Sequence, residues 1–364
     1  MTEQLSHIAA RLREFILTEG PAAQSQTVTD NKTFDSLALE LFALQFTHNT
    51  AYRRICEVRG ASPKSVEHWS QIPAVPTSGF KELELSSIPA NERTAVFHSS
   101  GTTEQRPSRH FHDAESLAVY EASLWSSFER NVVPDLRFAK YDLLVLTPPP
   151  EQAPNSSLIH MFEVVRKKLS STESAFVGSI DNESVWTLDF DATLDGLRSP
   201  NPKLILGTAF SFVHLLDHLE EKNLRLALPP GSRVMETGGY KNRSRTMPKA
   251  ELHALITHRL GVSASHIICE YGMSELSSQA YDTQSGSTRT FHFPRWARVQ
   301  IISPETGLPV ADGETGLIRI LDLANVFSVM AVQTEDLGIR RGEQFELLGR
   351  AQLAEPRGCS LMTA

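Results

Sequence analysis

Between residues 90 and 297 the chain switches repeatedly between short apolar runs and longer amphipathic stretches. Ala95–Phe97, Tyr141–Leu146, Ala175–Gly178, Leu204–Leu206, Arg233–Glu236 and Ile267–Glu270 read as strands. Ala114–Arg130, Ser156–Leu169, Ser211–Glu221 and Pro248–Leu260 repeat their apolar residues at helical intervals. Strand and helix in alternation imply an α/β fold with a mainly parallel sheet and helices on both faces. Ligands in such folds sit beyond the carboxyl ends of the strands, so the loops that follow these runs are where chemistry is expected.

The flanks have a different texture. Residues 1–70 read as a helical segment, with Phe34, Leu37, Leu39, Leu41, Leu44 and Phe46 at roughly helical spacing. Ile72-Pro-Ala-Val-Pro-Thr-Ser-Gly79 reads as an extended connector into the 71–297 core. In 298–350, Val299–Ile302, Gly316–Leu321 and Phe345–Leu348 alternate with turns such as Pro304-Glu-Thr-Gly307, the pattern of a small β-rich part. Residues 351–364 show no periodicity and are expected to form a mobile tail. With 40% apolar and 21% charged residues, the composition excludes a disordered chain. A formal charge of −8 argues against nucleic-acid binding. The longest apolar stretches are too short or too polar for a membrane span. Three scattered cysteines behind a start without a signal pattern lead us to expect a cytoplasmic protein with reduced thiols.

Five loops stand out. His98-Ser-Ser-Gly-Thr-Thr-Glu-Gln-Arg-Pro-Ser-Arg109 follows a strand and gathers small hydroxyl residues around a glycine, so its N–H and O–H groups suit phosphate oxygens. The same composition also suits a polar surface turn. Glu270-Tyr-Gly-Met-Ser-Glu275 offers an aromatic ring and a carboxylate able to hold Mg²⁺, or is a plain strand-to-helix turn. Met235-Glu-Thr-Gly-Gly-Tyr-Lys241 ends a strand in two glycines that allow close backbone approach, with Lys241 in reach of an anion. Thr334-Glu-Asp-Leu-Gly338 reads as an acidic turn in which Asp336 suits two sugar hydroxyls. Leu348-Gly-Arg350 is followed by Arg357-Gly-Cys-Ser360.

Taken in order, Ser-Ser-Gly-Thr-Thr, Tyr-Gly-Met-Ser-Glu, Thr-Glu-Asp-Leu-Gly and Gly-Arg resemble the core motifs of adenylate-forming enzymes. Ile72-Pro-Ala-Val-Pro with Phe80-Lys81, Gly238-Gly-Tyr-Lys241 and Arg357-Gly-Cys-Ser-Leu361 are similar to the acyl-protein synthetases of the bacterial luminescence fatty-acid reductase complex. The resemblance runs from about residue 70 to the terminus. It implies the N-terminal fold of adenylate-forming enzymes, with ATP and Mg²⁺ as cofactors. The acid is activated as acyl-AMP and passed to a cysteine for delivery to an acyl reductase or acyl carrier. By this resemblance Ser99, Ser100, Gly101, Thr102 and Thr103 hold the triphosphate, and Gly238, Gly239, Tyr271, Gly272, Met273 and Ser274 border the nucleotide. Glu275 and Thr102 serve the metal, Asp336 the ribose with Arg350 nearby, and Cys359 accepts the acyl group.

Two departures bear on mechanism. Glu104 stands where the family carries glycine. Only fourteen residues follow Arg350, too few for the family's lid domain, and the last lysine is Lys249. The lid's catalytic lysine therefore has no counterpart, and Lys241, Arg109 or Arg350 is expected to stabilise charge instead. Cys359 lies beside Gly358 and near Arg357, a setting that favours thiolate. Cys56 and Cys269 read as core thiols, and His98, His110 and His112 match no standard zinc spacing. His98 beside the phosphate loop is a substrate-contact candidate, and His160 suits either an acyl pocket or helix packing. Direct transfer to coenzyme A or a carrier is the enzymatic alternative. An assembly subunit with a decayed site, suggested by Glu104, is the other.

Overall fold

The computed structural model describes residues 3–18, 28–99, 106–136, 140–169, 174–181, 186–238, 247–285 and 288–351. The chain runs α1 (Glu3–Leu17), α2 (Val28–His48), α3 (Thr50–Val58), β1 (Val75–Pro76), α4 (Gly79–Glu82), β2 (Ala95–His98), β3 (Arg109–His112) and α5 (Ala114–Val132). It continues through β4 (Asp142–Val145), α6 (Ser157–Leu169), β5 (Ser174–Phe176), β6 (Gly178–Ile180), β7 (Trp186–Leu188), α7 (Phe190–Arg198), β8 (Lys203–Thr208), α8 (Ala209–Glu221), β9 (Arg233–Thr237) and α9 (Lys249–Leu260). It ends with β10 (Ile267–Tyr271), β11 (Ala280–Ser285), β12 (Thr288–His292), β13 (Ala297–Ile302), β14 (Thr315–Asp322), β15 (Ala331–Arg341) and β16 (Gln344–Arg350).

The expected α/β alternation is present. β5, β4, β8, β9 and β10 pair in that order and in parallel. Every residue of β4, β8 and β10 is buried, as strands covered on both faces require. The sheet then turns antiparallel through β11, β12, β16, β15, β14 and β13. No lid-sized domain follows among the described residues.

Local chemistry sets the element ends. Asp113 caps α5 by accepting from the Ser116 amide at 2.8 Å, and Thr208 caps α8 in a capping box with Ser211. Gly261 closes α9 in the left-handed region at φ 73°, which favours glycine. Lys203 is fully buried at the start of β8, with its ammonium 2.7 Å from Asp142 Oδ2. Ser199 and Asn201 also donate to that carboxylate.

One apolar cluster joins the two ends of the chain. Leu5, Ile8, Leu12 and Ile16 form the buried stripe of α1, and they share a core with Ile318, Ile320, Val332 and Phe345 of the C-terminal strands. Gln45 of α2 reinforces the join, donating to the Asn325 carbonyl at 2.7 Å and accepting from the Met330 amide at 3.1 Å. β1, inside the segment expected to be an extended connector, pairs in parallel with β15.

Candidate active site

A cavity of about 870 Å³ opens at the carboxyl ends of β8, β9 and β10, where a parallel sheet places its ligands. His98 and Ser99 enter it from the end of β2, Gly272 to Glu275 from the loop after β10, and Gly238 from the end of β9. Asp336 of β15 and Arg350 at the end of β16 face it from the antiparallel side. Motifs spread over about 250 residues of the sequence, from His98 to Arg350, thus meet in one hollow.

Hydrogen bonds hold these loops together. The Ser108 amide donates to Ser99 Oγ at 3.0 Å, joining the two residues that flank the Ser/Thr/Gly segment. Ser108 Oγ lies 3.3 Å from Ser274 Oγ, and His110 Nδ1 donates to the Ser274 carbonyl at 2.9 Å. Burial pushes the His110 imidazole down to about 4, so it is neutral at physiological pH. Ser274 Oγ donates to Glu275 Oε2 at 3.1 Å, and Asn325 Nδ2 donates to the Glu275 carbonyl at 2.8 Å. Beyond Glu275, the amides of Ser277 and Ser278 donate to buried Asp322 at 2.9 and 2.8 Å. A side chain at Gly272 would require the Glu270 carboxylate to shift.

Tyr271 is turned into the core. Its ring packs edge-on against Phe291, Phe293 and Phe345 at centroid distances of 6.1, 6.4 and 5.4 Å. Its hydroxyl donates to Asp336 Oδ2 at 2.9 Å. Burial raises the Asp336 carboxyl, while the Tyr271 hydroxyl and Arg350 pull it back. Arg350 Nε lies 3.9 Å from Asp336 Oδ1 and is largely exposed. The sequence reading of Thr334–Gly338 as a turn is corrected here. The segment lies inside β15, Asp336 is the register partner of Arg350, and register shifts interrupt its pairing with β16 at Leu337–Gly338 and with β14 opposite Leu317–Arg319. The polar run reads as a turn in the sequence because pairing to a neighbouring strand leaves no trace in it.

Ser100, Gly101, Thr102, Thr103, Glu104, Gly239, Lys241 and Cys359 lie outside the described residues. Met273 and Ser274 line the cavity. Arg109 is directed to Glu84 at 3.7 Å and lies over Phe111, beside Arg93. His98 lines the cavity, and burial followed by the Arg109 charge lowers its pKa. His110 and His112 are buried with ring centroids 4.2 Å apart, and His160 pairs with Glu121 at 3.2 Å. Cys56 and Cys269 are buried, as expected of core thiols. Cys269 Sγ donates to Glu236 Oε1 at 2.7 Å, beside His253 and Lys249.

Two features escaped the sequence reading. Lys81 of α4 lines the cavity, although in the sequence Phe80-Lys81 stands out only as part of a resemblance. Thr208, Thr237 and Glu270 also line it, as register partners across β8, β9 and β10. No spacing along the chain announces that row.

The sequence model of the acyl-protein synthetase family LuxE matches residues 2–364. The long-chain-fatty-acid–luciferin-component ligase of Aliivibrio fischeri is 26% identical over 91% of this chain and 87% of its own length. Its counterpart in Vibrio harveyi is 23% identical over 88% and 84%. Among solved structures, 2-hydroxyisobutyryl-CoA ligase in complex with 2-HIB-AMP and CoA superposes with a TM-score of 0.70 at 15% identity, covering 92% of this chain and 72% of that one. ATP-bound MatB of Rhodopseudomonas palustris superposes with a TM-score of 0.51 at 16% identity, over 95% and 72%. These likenesses bear out the adenylate-forming fold that the ordered motifs implied. With a family match over essentially its whole length, the chain belongs to the acyl-protein synthetases, a family of acid–thiol ligases.

Proposed function

We propose that the chain is an ATP-dependent acyl-protein synthetase that activates a carboxylic acid and carries the product on its own Cys359. The convergence of Ser99, Ser274, Glu275, Asp336 and Arg350 on one cavity carries this reading. In the first step a carboxylate oxygen attacks the α-phosphorus of ATP, giving acyl-AMP and releasing pyrophosphate. In the second, the Cys359 thiolate attacks the acyl carbon, forming a thioester and expelling AMP. An acyl reductase or acyl carrier is the recipient that the family resemblance implies, and the relatives' names place fatty acids first among the acids to test.

The chain's own residues divide this work. Ser99 and the loop it closes hold phosphate oxygens through N–H and O–H groups. Asp336, oriented by Tyr271, accepts from ribose hydroxyls. Lys81 is a described cation of the cavity and supplies positive charge where acid and phosphate meet, a task the lid lysine performs elsewhere in the superfamily. The hard carboxylate of Glu275, with the Ser274 hydroxyl beside it, suits Mg²⁺, which would neutralise charge on the phosphates.

The test has two stages. The purified chain is expected to catalyse acid-dependent exchange of pyrophosphate into ATP. Intact-mass spectrometry should then show one acyl adduct on Cys359. Cys359→Ala should keep exchange and lose the adduct. Full acyl transfer surviving in Cys359→Ala would instead select direct delivery to coenzyme A or a carrier. Absence of nucleotide binding would favour the assembly-subunit reading.

A further inference from the structure

We propose that Glu236, His253 and Cys269 form a metal site separate from the cavity, one that takes a borderline-soft divalent cation of the zinc class and serves the fold rather than the reaction.

The three residues lie on the reverse of the cavity wall. Val234 of β9 and Ile267 of β10 are register partners and share an apolar cluster with Leu252 and Ile256 of α9. Two residues further along, on that same face, the partners are Glu236 and Cys269. His253 of α9 meets them there, and all three residues are buried. The residues next to them along the strands face the other way, since Thr237 and Glu270 line the cavity. Three ligand-type side chains thus replace hydrocarbon at the end of an apolar layer.

Their geometry is that of a coordination triad. Cys269 Sγ lies 2.7 Å from Glu236 Oε1, His253 Nε2 lies 3.3 Å from the same oxygen, and Nε2 and Sγ are 3.5 Å apart. Zinc bonds of about 2.0 Å to nitrogen or oxygen and about 2.3 Å to sulfur, set tetrahedrally, place N and O about 3.3 Å apart and S about 3.5 Å from either. Two of the three separations already match. The third is short because a thiol proton joins the two atoms. A cation replaces that proton: the Cys269 thiol releases it to solvent, the thiolate and Nε2 each supply a lone pair, and His253 keeps one proton on Nδ1. Glu236 Oε2 is buried and has no hydrogen-bond partner among the described residues. A metal bound through both carboxylate oxygens would remove that cost.

The charges agree with a divalent ion, because carboxylate and thiolate bring two negative charges. In the structure the Lys249 ammonium, 3.1 Å from Glu236 Oε1, supplies the compensating charge instead. The Lys249 side chain is 41% exposed, so its ammonium can swing into water when an ion takes its place. Asp282 accepts from the Cys269 amide and is matched by Arg289, which leaves it out of this sum. A thiolate and an imidazole discriminate against Mg²⁺, so the site does not compete for the cation proposed at Glu275.

Equilibrium dialysis of the full chain, first stripped with a chelator, against Zn²⁺ and Co²⁺ tests this. A single equivalent of Zn²⁺ is expected to remain bound and to raise the melting temperature. Co²⁺ should give a near-ultraviolet thiolate band and the strong visible bands of a four-coordinate ion. Cys359→Ala should keep both signals, which separates this site from the tail thiol. Cys269→Ser should lose the thiolate band and weaken Zn²⁺ binding at least about a hundredfold. Lys249→Met should tighten Zn²⁺ binding about tenfold, because a competing cation is gone; it also keeps the test decisive if Cys269→Ser fails to fold. No retained metal in the parent or in Lys249→Met would overturn the inference and leave the ammonium as the permanent counter-ion of Glu236. A thiolate band unchanged in Cys269→Ser would overturn it by placing the metal elsewhere.

Discussion

Substituting buried Glu270 by glutamine makes a prediction about stability that is independent of any substrate. An ordinary glutamate ionises near 4.5, whereas burial lifts Glu270 to about 7, with Glu236 adding to the lift and Thr237 and Lys249 opposing it. Between these two values the native state holds a proton that the unfolded chain has released. Native stability therefore falls as pH rises through this window, and the loss is complete above about 7. The span of about 2.5 units at 1.36 kcal/mol each sets an upper figure of about 3 kcal/mol. Glutamine has the same shape, carries no charge, and its carbonyl still accepts from Thr237. The variant should therefore escape the loss. Urea unfolding of both proteins at pH 5 and pH 8 measures the effect. The stability of Glu270→Gln relative to the parent should rise by about 2 to 3 kcal/mol between the two pH values. Parallel profiles would refute the reasoning, because they would mean that Glu270 ionises in the folded protein as it does in water.

Three further outcomes are expected. Lys81→Met should lower kcat/KM for pyrophosphate exchange about a hundredfold, with a thermal melt close to the parent's, if its charge serves the reaction. Glu275→Gln should raise the Mg²⁺ concentration for half-maximal exchange at least about tenfold, read from a metal titration at saturating ATP; an unchanged requirement would remove Glu275 from the metal site. Asp142→Ala should leave the buried Lys203 ammonium unpaired and cost about 3 to 5 kcal/mol by urea unfolding, whereas Lys203→Met together with Asp142→Leu should recover most of the loss.

What could be read from the sequence divides along physical lines. The parallel strands were legible because burial on both faces leaves continuous apolar runs, as in Leu204–Leu206 and Ile267–Cys269. Helices α5, α6, α8 and α9 were legible from apolar periodicity. β15 was hidden because Gln333-Thr-Glu-Asp336 is polar and draws its order from β14, β16 and β1 alongside it. The Tyr271–Asp336 bond joins residues 65 apart in the chain, and Thr237–Glu270 residues 33 apart. Motif order signalled that such residues belong together, but only strand register decides which side chains face one another. The Asp142–Lys203 pair left no signal, since each residue alone reads as the solvated end of a strand.

The location of Arg350 bears on how the proposed acceptor, Cys359, would work. β16 ends at Arg350, on the wall of the cavity and beside the residue proposed to hold ribose. Cys359 follows nine residues later. A chain of that length spans at most about 30 Å, so its thiol stays within that radius of Arg350 whatever path it takes. One thiol confined to such a volume corresponds to an effective concentration in the millimolar range. An acceptor of that kind captures a mixed anhydride in competition with water and needs no separate thiol at comparable concentration. On the proposed mechanism the same tether would oblige a recipient to come to the cavity's own face to collect the thioester. Lengthening the linker between Arg350 and Cys359 should therefore leave pyrophosphate exchange intact while slowing adduct formation, and a rate independent of linker length would show that the tether plays no part.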